Sequence, residues 1–128
     1  MLALHSFDFA IIRVVPRVER EEFVNAGVIV FCLERKFLRA LVHVHSLRLM
    51  ALWPDLDLDL VRQHLEAFAK ICDGDADAGP IAKLTLRERF HWLVAPRSTM
   101  IQISPVHSGL CESPEAVLDE IFRQMVLL

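Results

Sequence analysis

The residues of this chain that could do chemistry are polar side chains set inside apolar runs. Arg13 interrupts the stretch Phe7 to Val15. Glu22 and Asn25 flank Phe23 and Val24, and Gly27 follows Asn25 by two residues, so Asn25 and Gly27 share one strand parity. A buried guanidinium needs a partner, and Glu22 is a natural one. A glycine in a strand leaves room for a ligand or another backbone. The functional reading is a small pocket that recognises an anion or a carbonyl. The structural reading is an ion pair with an amide that caps the loop, since structural networks also gather such residues.

A second cluster spans residues 87–109. Arg87, Glu88, Arg89, Phe90 and Trp92 lead into Pro96, Arg97, Ser98 and Thr99, then Ser104, Pro105, His107, Ser108 and Gly109. Arginines, hydroxyls and a histidine in loops bounded by Pro and Gly can gather around an anion. If both clusters met, Arg13, Arg89 and Arg97 would hold the anion and Asn25 would orient it. Glu22 or His107 could then move a proton. Ser108 or Cys111 with His107 would be a nucleophile pair, but nothing in the spacing fixes that geometry.

Metal sites are weaker. His43 and His45 are alternate residues on a strand and could reach one ion, but a third ligand is unspecified. Asp73, Asp75 and Asp77 have the spacing of the first EF-hand ligands. Ala78 stands where the turn needs glycine, and Leu84 where a glutamate belongs. No metal and no cofactor is expected. There is no Gly-rich phosphate loop, GxSxG, HExxH or CxxC.

These residues need elements to position them. Phe7–Val15 is apolar on both parities, which predicts a central strand covered on both sides. A charged loop, 17–22, leads to a second strand near 24–33. Glu34-Arg35-Lys36 then joins it to a third, 37–44, as an antiparallel hairpin. Ser46 is placed to cap a short helix, 47–53, stopped by Pro54. A longer helix begins near Asp57 or Asp59, its stripe Leu58, Val61, Leu65, Phe68, Ala69 and Cys72. The segment 73–80, DGDADAGP, reads as a mobile acidic loop. Residues 84–94 fit a helix or a strand, and 100–103 a short strand. Ser113 and Pro114 open a last helix with Val117, Leu118, Ile121, Phe122, Met125 and Val126 on one face. The expected fold is α+β: a mostly antiparallel sheet of about four strands, with three or four helices packed on it.

Composition narrows the classes. The chain has 128 residues, 54% hydrophobic and 24% charged, with a formal net charge of -3. That length suits a single domain, 1–128, able to bury its own core. The mean hydropathy is +0.38. The longest apolar run, Ala26–Leu33, is too short to span a membrane, and Asp8 and Arg13 break any signal-peptide pattern at the start. Cys32, Cys72 and Cys111 are widely spaced and read as free thiols in the cytoplasm, Cys32 as a small core residue. The acidic balance and the absence of a basic helical stripe make nucleic acid an unfavoured partner.

Three stretches resemble a known family. "IIRVVPRVEREEFVNAGVIVF", Ile11–Phe31, is similar to the first signature of the domain-of-unknown-function family numbered 3037. That signature is a strand with R-x-x-P, then G-E-F-x-N-x-G-V. "RFHWLVAPRSTMIQISPVHSGL", Arg89–Leu110, resembles its second signature, and "PEAVLDEIFRQMV" its closing helix. Arg13, Pro16, Glu22, Phe23, Asn25 and Gly27 fall on the first motif. Arg89, Phe90, Pro96, Arg97, Ser98, His107 and Gly109 fall on the second. The family's glycine before the glutamate is Glu21 here. The resemblance implies a small bacterial protein without an assigned activity, a companion of HipA-like kinases. The expectation is therefore a cytoplasmic protein-interaction or regulatory module, whose partner is such a kinase or another copy of itself. It predicts a contiguous apolar surface patch. The competing expectation is a small enzyme or anion-binding domain built on Arg13, Glu22, Asn25, Gly27, Arg89, Arg97 and His107.

Overall fold

The computed structural model describes residues 3–128. Five strands and four helices follow in the order β1 (His5–Val14), β2 (Val24–Cys32), β3 (Phe37–Val42), α1 (Ser46–Leu52), α2 (Leu58–Asp73), α3 (Leu86–Val94), β4 (Ile101–Ile103), β5 (His107–Cys111) and α4 (Pro114–Met125). The fold is α+β. The sheet runs β3-β2-β1-β4, every pairing is antiparallel, and β5 joins β1 beyond β4. β1 is therefore central. Its Ile12 and Val14 face one core and its Phe7 and Ile11 another.

The first core lies between the sheet and α1, α2 and α3. It joins Ile12, Ile29 and Phe31 to Leu49, Leu65 and Leu93. Phe31 stacks on Phe90 with ring centroids 4.8 Å apart, which fixes α3 against the sheet. The second core lies under α4, whose Leu118 and Ile121, with Val126 just past its end, cover Phe7, Val28 and Val30. Each large aliphatic side chain buried here contributes about 1.5–3 kcal/mol relative to exposure. A strand with apolar residues on both parities is what a helix–sheet–helix sandwich requires.

Local chemistry sets the helix ends. Asp57 caps α2, its side chain accepting from the Leu60 amide, and Gly74 ends it in the left-handed region. The ambiguous segment 84–94 is helical because Thr85 and Glu88 form a reciprocal capping box. Ser113 caps α4, and Pro114 fills the position where a missing N–H costs nothing. Ser46 does not cap α1. His45 holds that place, with no side-chain cap. The acidic segment forms short turns at Ala76–Ala78 and Pro80–Lys83. No helix among the described residues is long and apolar enough to cross a membrane.

β5 was not expected from sequence. Its residues 107–111 read as loop because His, Ser and Gly are weak strand formers. Pairing with β1 overrides that preference, and Phe7 lies across Gly109, where a Cβ would come within 2.9 Å of its ring. The gap between β4 and β5 is bridged by Ser104, only 4% exposed. Its hydroxyl accepts from the Ile11 amide at 2.8 Å and donates to the Pro105 carbonyl at 2.9 Å. Ser104→Ala strands the buried Ile11 amide. Urea unfolding should show a loss of about 1–3 kcal/mol with an unchanged slope.

Candidate functional site

The two sequence clusters meet at one place, the end of β1 beside the loop that follows α3. A cleft of about 300 Å³ opens there, lined by Arg13, Val15, Val18, Glu21, Phe23, Arg97, Ser98 and Gln102. Arg13 is brought in by β1 and lies opposite Asn25 on β2 and Gln102 on β4. Phe23 stacks on its guanidinium, 4.2 Å from ring centroid to central carbon. The Arg13 Nε is buried with no hydrogen-bond partner. Among the described residues, none of the ion pairs includes Arg13.

Glu22 is not its partner. It accepts from Arg20 Nε at 2.5 Å, because the 3-10 turn Val18–Arg20 swings Arg20 back over the loop. That turn closes at Glu21, whose φ of 61° lies in the left-handed region. Glu21 occupies the position where the resembling pattern carries glycine, and the backbone gives the reason.

Asn25 and Gly27 part company. A bulge falls between Ile12 and Arg13, where the facing partners jump from Gly27 to Asn25. Ala26 is the extra residue, and the parity of β2 changes across it. Gly27 stays with Ile12 on the α2 side. A Cβ there would stand 2.7 Å from the Leu41 carbonyl oxygen, so the space its missing side chain leaves is filled by β3, not by a ligand. Asn25 turns to the α4 side and donates to the Met125 carbonyl at 3.1 Å. His45 Nε2 contacts the Val126 carbonyl, and Arg48 donates to the Leu128 carbonyl at 2.7 Å. Three side chains thus satisfy carbonyls at and beyond the end of α4, where a helix leaves them unpaired.

Arg97 belongs to the cleft but its fork is partly used. Its Nη1 donates to the Leu93 carbonyl at 2.6 Å and to the Ala95 carbonyl at 3.3 Å. Its Nη2 donates to the Trp92 carbonyl at 2.8 Å, closing the end of α3. It also stacks near Phe68 and Trp92. Burial pushes its pKa down. Arg89 is elsewhere. It donates to the Leu84, Ala82 and Cys72 carbonyls and clamps the end of α2 to the following turn. His107 lies on β5 opposite Phe9, their rings 5.3 Å apart. So the structure brings Arg13 and Arg97 together with Ser98. Asn25 is beside Arg13 but engaged with α4. Glu22, Gly27, Arg89 and His107 do not line the cleft.

Nucleophilic pairs fare poorly. Ser108 donates to the Asp8 carboxylate at 2.5 Å. Burial raises the Cys111 thiol pKa, and pushes Cys72 up to about 12, so neither offers a thiolate near neutrality. His43 and His45 meet edge to face, 4.4 Å apart. Among the described residues, no three His, Cys, Asp or Glu side chains converge as a metal site would need.

The family described as a protein of unknown function (DUF3037) has a model that matches residues 9–126. The chain belongs to this family. No curated protein and no solved structure matches it. Both resembling stretches, residues 11–31 and 89–110, lie within the matched residues, and together they build the cleft and the β2 bulge.

Sequence reasoning passed over Gln102 and Val18, and marked Glu21 only as a departure from the family pattern, not as a cleft residue. Gln102 carried the same signal as Arg13, a polar residue inside the apolar strand Ile101–Ile103. Glu21 carried the signal of standing where glycine is usual. Glu21→Gly should stabilise the fold by about 1 kcal/mol, since it relieves a side chain held at positive φ. A rise in the urea midpoint at constant slope checks it.

Proposed function

We propose that this protein is a protein-interaction module, acting in the cytoplasm through an apolar surface at the β1–β2 turn, α1 and the end of α4. The observation that carries the reading is how much apolar side chain this end leaves in water. Leu47 is 87% exposed, and Met50, Trp53, Phe23, Met125 and Leu127 are exposed as well. Their neighbours tie them together. Val18 shares one cleft with Trp53 and another with Phe23. Asn25 and Arg48 bind the carbonyls of Met125 and Leu128. Apolar side chains clustered this way mark contact surfaces on other proteins. Aromatic and Met side chains are also enriched in the centres of interfaces.

The family resemblance makes a HipA-like kinase the first partner to test, and a second copy of the chain the next. A regulatory role would follow from occupying such a partner. Three buried free cysteines suit a reducing compartment.

The test uses the tagged protein and a Leu47→Glu/Trp53→Ser variant. Both sites are on the surface, so circular dichroism should match the parent. Each is co-expressed with a HipA-like kinase encoded beside a gene of this family, and each is sized alone by light scattering. A stoichiometric complex, or a dimer, that the variant loses supports the reading. A parent that stays monomeric and retains no kinase, or a complex the variant keeps, overturns it.

A further inference from the structure

We propose that the cleft at the end of β1 binds a carboxylate carried on an apolar body. This inference does not rest on the docking surface, although the cleft adjoins it and Val18 and Phe23 border both. Arg13 is the starting point. It is a permanent cation, half-buried in a strand whose neighbours are core residues, and the desolvated part of its guanidinium is costly unless paired. No carboxylate in the described residues pairs with it, and its Nε is buried and unpartnered. Phe23 covers one face of the guanidinium plane. Further polar contacts must therefore come edge-on, which is how a guanidinium takes both oxygens of a carboxylate.

The surroundings choose among anions. Two arginines and Glu21 line the cleft, a formal sum of one positive charge (2 − 1). That balance matches a monoanion. A phosphate dianion would keep an uncompensated charge and would face Glu21. Arg97 supplies field rather than a free fork, because its Nη atoms are engaged with three carbonyls. Gln102 gives one of its two amide N–H groups to the Thr99 carbonyl, so its other N–H and the Ser98 hydroxyl are the further side-chain donors. Val15, Val18 and Phe23 supply apolar walls, and about 300 Å³ accommodates more than a bare carboxylate. The ligand class is thus an aryl- or alkyl-carboxylic acid, free or as the end of a peptide.

The test is a titration followed by ¹⁵N NMR of backbone amides and arginine Nε–H groups. 3-Phenylpropionate is the probe, with its neutral amide and inorganic phosphate as controls. N-acetylphenylalanine stands for a peptide end, and its rank against the free acid tells the two sources apart. The expected result is saturable shifts at Arg13 Nε–H and the Ser98 amide, with a dissociation constant of about 1 mM. Arg13→Gln abolishes them. Glu21→Gln tightens binding roughly threefold by removing a nearby like charge. Equal binding of the amide, tighter binding of phosphate, or no shift up to roughly 50 mM overturns the proposal. Should Arg13→Gln fail to fold, Glu21→Gln decides, and unchanged or weaker binding by that variant counts against the site.

Discussion

The structure depends on β1 being buried on both faces while carrying one arginine. A strand sandwiched between two helical layers offers no solvent-facing parity, so any polar side chain in it must be resolved locally. Ile12 and Val14 go to the α2 side, Phe7 and Ile11 to the α4 side. Arg13 comes at the far end of the strand, where the β2 bulge begins and α4 runs out. Its charge reaches a cleft there instead of the core. The bulge that makes this possible also turns Asn25 onto α4 and leaves Gly27 pressed against β3. One extra residue, Ala26, thereby separates the fastening of α4 from the close approach of the strands.

Much of this was legible in the residues. Apolar residues on both parities of 7–15 implied a central strand. The 3.6-residue stripes implied α2 and α4, and Pro114 after Ser113 marked a helix start. The hairpin followed from the polar run Glu34–Lys36, although the turn that closes it has four residues because Leu33 joins it. Three features were not legible. The bulge was hidden because Asn25 and Gly27 have the same parity on paper, and nothing local in VNAGV signals an inserted residue. β5 was hidden because its strand state comes from pairing with β1 rather than from propensity. The Arg13–Glu22 pair failed because Arg20, two residues before Glu22, reaches the carboxylate first. A long-range pair that looks natural in sequence lost to a short-range one with a smaller loop to close.

The same geometry separates structure from function among the signature residues. Asn25, Gly27, Arg89 and Gly109 have their roles inside the fold. Asn25 and Arg89 satisfy backbone carbonyls, and a side chain at Gly27 or Gly109 would clash. Arg13 has no such role, and neither has Phe23, which stacks on it while half in water. Those two, with Val18, sit where the cleft and the apolar end of the molecule adjoin. The recognition role proposed above rests on that juxtaposition, in which Cys72, Cys111 and Ser108 take no part.

The account turns on Arg13 being free of Glu22, the counterion its sequence offers, and a double-mutant cycle reads that directly. Arg13→Gln, Glu22→Gln and the double variant are unfolded in urea beside the parent. The account predicts a coupling energy within about 0.5 kcal/mol of zero, as for residues that share no partner. A coupling of about 1 kcal/mol or more would contradict it, because Arg13 would then already be spent on holding its own loop.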